Sequence, residues 1–590
     1  MESSPTVPAA VLTVTAFRPT WLDSDTLDYD YSPHGQLQRV AIPGEGTLSV
    51  QQYQWLAPSQ LTLPGGSSQT RRHDGLLNLE TLQLKTPGQQ TRLTLENRYG
   101  PAQELLSSQR DQAGQQVSHH YGYDAEQRLT EIRSDRGSLF GDHLERYTLD
   151  PIANRLTHSE QPGPWTYDAN QRLQQRGEGN DTTTYHYDDA GNLIQQTQGS
   201  GDTARITHYR YDSDHRLNEI QTADQQPIAR YGYDPLHRRL WKEQYRDRDG
   251  QLLAQATRTY YLYSDHSLLA EASQPITLHP DGSVSAQGEP TLSAQYGPHP
   301  QQPFTTGTLF IKTRNSNGQD TVGYYQHDHL GTPIQAVDKA GQVIWAADYH
   351  AFGQATLITP KATAEAPTIS SNLRLPGQYW DGESGLHYNW HRYYDPEVGR
   401  YITRDPIGLR GGVNSYAYVA GDPVGNKDPN GLLMGINAGE CFGVSSAQYW
   451  ADRFVETGNP LYAIPGLLAS LWTPDTSNAT AGALLAGYGA VGLAGSAGNL
   501  SAWASNPLMY EVGQKTLGNA AYQAYGSLST VARGQAIVKN LGWGRTLFDL
   551  RGAWGTTWVT GPTPGASLFL LGLCGVMLPT QPSSDDCECQ

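Results

Sequence analysis

Cysteine is absent from the first 440 residues. The chain's four, Cys441, Cys574, Cys587 and Cys589, all lie late. That excludes a disulfide scaffold for the larger part of the molecule. Phenylalanine is scarce at 9 residues against 35 tyrosines, a mix that suits many short polar-faced strands joined by tight turns. Positive charge is short as well: the net charge is −17, which disfavours any surface that coats nucleic acid. The opening stretch, MESSPTVPAAVLTVTAF, has no basic start, and its apolar run is broken by Thr and Pro. No signal peptide is read there, and export by a signal-peptide-independent route from a bacterial cytoplasm is expected. Histidine is missing from Met434 to the end although the chain has 18. That removes nucleases, metalloproteases and ribonucleases built on histidine from the candidates for this segment.

What is present is turn-forming and repetitive. Gly (62) and Pro (36) favour many reversals over long helices. A Tyr-x-Tyr-Asp or Tyr-Asp unit, a short turn, then Arg-Leu or Asn-Leu recurs at Tyr121–Leu129, Tyr167–Leu173, Tyr185–Leu193, Tyr209–Leu217 and Tyr231–Leu240. A degenerate copy stands at Asp150–Leu156, and a weaker early one at Tyr29-Asp30-Tyr31 with Gly35 and Leu37. The six Asp positions 124, 150, 168, 188, 212 and 234 step by 18 to 26 residues. Side chains alternate along a strand, so Tyr-x-Tyr puts both rings on one face. Asp can bond to nearby backbone N–H groups and tighten the turn, and Leu restarts a strand on the apolar side. Each unit is then a β-hairpin that cannot bury its own face, and stacking many gives one long curled sheet. Residues 270–320 read as looser, and a polar loop is expected over 357–371.

Two further blocks are dense: Tyr324-Tyr325-Gln326-His327-Asp328-His329-Leu330-Gly331-Thr332-Pro333, and the run from Arg392-Tyr-Tyr-Asp-Pro through Arg400-Tyr-Ile-Thr-Arg-Asp405-Pro-Ile-Gly-Leu409 to Asp428-Pro-Asn-Gly-Leu432. From spacing alone, Asp405 and Asp428 read either as caps of Asp-Pro turns or as paired carboxylates. Two carboxylates in one site split their pKa values, so one can activate water while the other polarises a carbonyl, with an arginine holding the geometry.

Together the repeats and these two blocks resemble the RHS/YD-repeat polymorphic toxin family, over residues 25–433; the last block is similar to the RHS-associated core. The resemblance extends to toxin-complex C components and type VI secretion Rhs effectors. It implies a mainly β fold, with YD-repeat hairpins wound into a shell that the core caps, followed by a mainly α C-terminal segment. It also implies an intramolecular aspartyl-type protease whose functional residues fall by motif on Asp405, Asp428 and Arg392, cutting after Leu432 or the adjacent Leu433. Asp422-Pro423 stands where the family usually has Asn-Pro, with little effect expected. The corresponding organisation is an N-terminal extension (1–24), the repeat shell (25–320), the core with the cleavage site (321–433) and a variable effector or connector (434–590). A repeat stretch of this length is short for a closed shell, so an incomplete one, or one closed by a partner, is expected. No cofactor and no metal site is expected. The partners implied are the chain's own C-terminal segment as cargo, a secretion spike or toxin complex, and an immunity protein.

After Met434 the Tyr-Asp units stop and Ala, Gly and Leu rise. Residues 479–497 are uncharged throughout and 565–578 are apolar. Such runs suit either membrane contact or buried core helices. Cys587-Glu588-Cys589 reads as a polar tail or as a metal or disulfide pair. The basic residues Arg533, Lys539, Arg545 and Arg551 have one acidic neighbour, Asp549, too few carboxylates for a metal-dependent nuclease. A helical segment acting on membranes is therefore expected. Two functions compete for the whole chain: a self-cleaving toxin carrier, and a non-enzymatic surface or adhesion protein made of the same repeats.

Overall fold

In the computed structural model, the described residues are 27–432 with short interruptions at 34, 56, 113–114, 136–142, 162, 265–266, 301, 316–317, 363–366, plus the backbone of Val11–Val14 and Gly435–Ile436. They belong to the first of the chain's two units, Met1–Asn437. The readings that concern the rest of the N-terminal extension, Leu433, the apolar runs, the late cysteines and the helical C-terminal segment lie outside the described residues.

The described part is almost wholly β, with only short single-turn helices such as Gly408–Gly411 and Val419–Gly421. Every pairing between neighbouring strands is antiparallel, and all follow chain order except that Ser267–Leu278 also pairs with Thr291–Gly297. The unit Tyr209–Leu217 shows why. Strand Arg205–Tyr211 pairs with Leu217–Thr222, Tyr209 opposite Ile220, with a bulge between Arg210 and Tyr211. Asp212 Oδ1 accepts the N–H groups of Asp214 (2.9 Å) and Arg216 (3.0 Å). Between them His215 takes a left-handed backbone at φ 61°. Gln127, Gln171 and His237 take the same conformation, and a glycine, Gly191, does so in the Tyr185 unit. A side chain in that region costs about 1–2 kcal/mol, which the two bonds to the Asp oxygen offset.

Each unit is also stitched to its neighbours. Arg216 Nε donates to Asp212 Oδ2 (2.8 Å) while its Nη1 reaches forward to the Asp234 carbonyl (2.9 Å). Arg172 reaches Asp188 in the same way, at 3.1 Å. The tyrosine before each Asp reaches backward: Tyr123 to the Leu105 carbonyl, Tyr167 to Arg155 and Tyr211 to Leu193, each at 2.8 Å. A ring fills the apolar layer and its hydroxyl satisfies a backbone carbonyl one unit back, a task phenylalanine cannot perform. The excess of Tyr over Phe follows from this. Leu129, Leu173, Leu193 and Leu217 are buried, as the repeat logic requires, whereas Leu156 and Leu240 are exposed and Arg155 and Arg239 take the buried place in those two units.

Two expectations need correction. The sheet is not continuous: one ladder of 13 strands ends at Arg155–His158, and a second of 17 runs from Thr166–Tyr167 to Ala355–Leu357. The break falls at Gln161-Pro162-Gly163-Pro164, where two prolines remove ladder donors. The stretch after 270 is not loose at its start, because Ser267–Leu278 is a 12-residue strand. The early copy keeps the register of the other units, with Tyr31 as the turn tyrosine opposite Leu37 and Ser32 in the Asp place, its Oγ accepting the Gln36 N–H at 3.2 Å. Asp30 instead lies on the strand and pairs with Arg39. The second ladder also crosses the 320/321 boundary drawn from the sequence, with Asp328 and Asp338 capping turns as the repeat aspartates do.

The ladders curl back on each other. Tyr29 donates to the Pro298 carbonyl, Tyr324 to Glu45, and Arg110 pairs with Asp348 at 2.8 Å. One apolar cluster accordingly joins Tyr29, Leu48 and Leu95 to Phe310, Tyr324 and Val337. A small four-stranded sheet, Tyr379–Trp380, His387–Asn389, Arg392–Asp395 and Arg400–Tyr401, packs into the other large cluster, beside Trp165, Tyr209 and Tyr231. It is anchored by a buried ionic network. Asp381 takes Arg239 at 2.5 Å and Lys242 at 2.9 Å, and Glu383 takes Lys242 at 3.0 Å.

Candidate active site

Arg392 opens the strand Arg392–Asp395; Asp405 follows the strand Arg400–Tyr401, and Asp428 follows Asn426–Lys427. Chain order separates them, yet all three are buried and share one nitrogen. Arg392 Nη2 lies 3.0 Å from Asp405 Oδ2 and 3.4 Å from Asp428 Oδ2. The guanidinium is held on every side: Nε donates to the Gly431 carbonyl, Nη1 to the Ser415 carbonyl at 3.2 Å, and the cation lies 3.5 Å from the Tyr401 ring centroid.

The two readings of these aspartates, turn cap and paired carboxylate, are both present, one on each oxygen. Asp405 Oδ1 accepts the Ile407 N–H at 3.0 Å, capping the Asp-Pro turn, while Oδ2 faces Arg392. Asp428 Oδ1 accepts the N–H groups of Gly431 (2.8 Å) and Leu432 (3.1 Å), while Oδ2 receives the Tyr401 hydroxyl at 2.7 Å besides Arg392. The Leu432 amide is also bonded to Asn430 Oδ1 at 3.3 Å.

The carbonyl side of Leu432 and Asp405 border the same residue. Gly411 is the close neighbour of both: a Cβ there would collide with Asp405 Oδ2 and would stand 3.0 Å from the Leu432 carbonyl oxygen. Any side chain at 411 would therefore wedge between them, which accounts for the glycine.

Electrostatics separate the two carboxylates. Burial pushes Asp405 up to about 6, opposed by Arg392 and the Ile407 N–H, with the charge of Asp428 adding to the rise. Burial also raises Asp428, against the pull of Arg392, Tyr401 and two backbone N–H groups. Asp405 thus has a proton to exchange near neutrality, whereas Asp428 has both oxygens fully engaged by donors.

The structure brings together the three residues named from the sequence and sets Leu432 beside them; Leu433 lies outside the described residues. Sequence reasoning missed Tyr401, Asn389 and Gly411. Asn389 Nδ2 donates to the Asp428 carbonyl and to the Tyr401 hydroxyl, both at 2.9 Å. Nothing in the linear pattern marked Asn389. Tyr401, between Arg400 and Ile402 in the same dense run, was visible but had no assigned task.

Comparison with known proteins gives two family matches: the Teneurin YD-shell over 17–265 and the RHS protein family over 322–357. Double-stranded DNA deaminase toxin A of Burkholderia cenocepacia is 32% identical over 348 residues, covering 54% of this chain and 22% of that protein. Toxin protein Tse5 of Pseudomonas aeruginosa is 30% identical over 438 residues, covering 69% and 29%. The chain thus spans less than a third of the length of either relative. Among solved structures, TcdB2-TccC3 without its hypervariable C-terminal region aligns at 18% identity with a TM-score of 0.35, covering 69% of this chain and 24% of that one.

Proposed function

Since the chain belongs to the RHS/YD-repeat family, we propose that it is a toxin carrier that cuts its own backbone after Leu432 and so frees the segment that follows. The observation that carries this reading is the placement of Leu432: its amide N–H is bonded to Asp428, and its carbonyl oxygen and Asp405 both border Gly411. A turn cap needs the first feature and has no use for the second.

The chemistry divides between the aspartates. Asp428 and Asn430 pin the amide that precedes the bond, and Arg392 holds both carboxylates and the Gly431 carbonyl in register. Ionised Asp405 takes a proton from a water molecule, whose oxygen attacks the Leu432 carbonyl carbon. When the tetrahedral intermediate collapses, the bond from Leu432 carbon to Leu433 nitrogen breaks. Asp405 returns its proton to that nitrogen, leaving a new carboxyl terminus and a new amino terminus. A carboxyl near 6 suits both halves of the cycle.

On this reading the cargo is 434–590, preceded by Leu433. Relatives described as toxins favour delivery to competitor or host cells through a secretion spike or a toxin complex, with an immunity protein protecting the producer. Membrane action of the cargo remains part of the proposal, on the sequence grounds given above. The test is the mass of the purified chain under denaturing conditions. Two fragments, the second beginning at Leu433, are expected. A single species at 64.7 kDa would favour the adhesion reading instead.

A further inference from the structure

We propose that His143, Glu145, Glu160 and His350 form a binding site for a zinc-class divalent cation that clips the two strand ladders together. One ligand atom from each of the four lies within 4.8 Å of every other. His143 Nε2 stands 2.8 Å from Glu160 Oε1 and 3.3 Å from Glu145 Oε1, and His350 Nδ1 stands 3.1 Å from Glu145 Oε1. A tetrahedral zinc ion with bonds of about 2.0–2.1 Å sets its ligand atoms about 3.3 Å apart. The cluster already has that spacing at its shorter edges and needs only a small contraction at the widest.

A second observation points to an ion. His158 is more than nine-tenths buried, and neither ring nitrogen has a hydrogen-bond partner. Its Nε2 faces the same two carboxylates, 3.6 Å from Glu145 Oε2 and 4.0 Å from Glu160 Oε2. Stacking on Tyr147, at 4.8 Å between centroids, fixes that orientation. A buried imidazole with no bond is costly. A cation bound by the two carboxylates gives His158 a ligand position or a polar neighbour. Imidazole donors beside carboxylates select zinc-class ions over calcium or magnesium, which prefer oxygen throughout. Glu145 and His350 also line a cavity of about 100 Å³, which supplies an entry path.

The placement gives the ion its task. His143 and Glu145 lie on the strand His143–Leu149 of the first ladder, and Glu160 follows that ladder's last strand. His350 follows Val343–Tyr349, near the end of the second ladder. The site joins the last two strands of the first ladder to the strand before the last of the second.

The test uses the full chain, dialysed against excess zinc and then against buffer. One equivalent of zinc should remain by elemental analysis, and chelation should lower the thermal midpoint by several degrees. The His143→Gln/His350→Gln double variant should lose the zinc and the chelator effect, while Cys587→Ser/Cys589→Ser keeps both. Absence of retained zinc in the unmodified chain overturns the proposal, as does zinc that follows the cysteines. Cobalt(II) titration of the unmodified chain guards against misfolding of the variant. Visible bands of a nitrogen–oxygen tetrahedral site support the clip, and a thiolate charge-transfer band counts against it.

Discussion

The repeat turns and the core turns start from the same device and end differently. In a repeat, Asp168 caps its turn with one oxygen and closes the other on Arg172 four residues later. The loop satisfies itself at the surface, and although its burial acts upward, the bonds from Arg172 hold the carboxyl below its ordinary value. In the core, Asp405 and Asp428 cap their turns in the same way, but the second oxygen of each is left for an arginine supplied by a different strand. Burial then wins and both carboxyls rise. A turn cap keeps its proton to higher pH when its second oxygen is withdrawn from its own loop and from water.

The strongest way to break that contrast is to neutralise one aspartate of each kind. Asp405→Asn should slow cleavage by about 10³-fold or more, and Asp428→Asn likewise, with melting little changed. Asp168→Asn should leave the cleavage rate as it was. Equal rates for Asp405→Asn and the unmodified chain, followed by denaturing gel, would sink the assignment. The same comparison has a pH form. Cleavage needs Asp405 ionised, so the rate should rise about tenfold per pH unit below about 6 and level off above it; a rate that falls through this range would make Asp405 the acid.

The next effect concerns the other arginine that serves carboxylates. Arg239 and Lys242 meet Asp381 in full burial, and Asp381→Ala leaves Arg239 without a carboxylate and Lys242 with Glu383 alone. A loss of about 3–5 kcal/mol in denaturant unfolding is expected. Little change would mean that the core sheet is held by its apolar contacts alone.

Arg392→Lys should slow cleavage by about 10–100-fold, because an ammonium cannot hold two carboxylates and two carbonyls in one plane. Stability should move less than for Asp381→Ala, which separates a positioning arginine from an anchoring one. The smallest effect belongs to the repeats: Tyr211→Phe removes one hydroxyl from the Leu193 carbonyl and should cost about 1 kcal/mol in thermal melting, with cleavage unaffected.

The sequence by itself determined the repeat. Asp, a tolerant turn residue, Arg or Asn, and Leu act within a few positions of each other, so the turn, its cap and the buried Leu were legible as text. The position of Leu432 next to Asp428 was legible for the same reason, since Asp428 Oδ1 reaches only four residues on. The break at His158 was written in Pro162 and Pro164 but passed unread beneath the period of the repeat. Only the tertiary structure decided what meets across long separations: Arg392 between two aspartates, Gly411 between Asp405 and the Leu432 carbonyl, and His350 beside Glu145. Local hydrogen bonds depend on spacing along the chain, and spacing is visible in a sequence. Which second oxygen finds a partner depends on how the ladders curl, and no spacing records that.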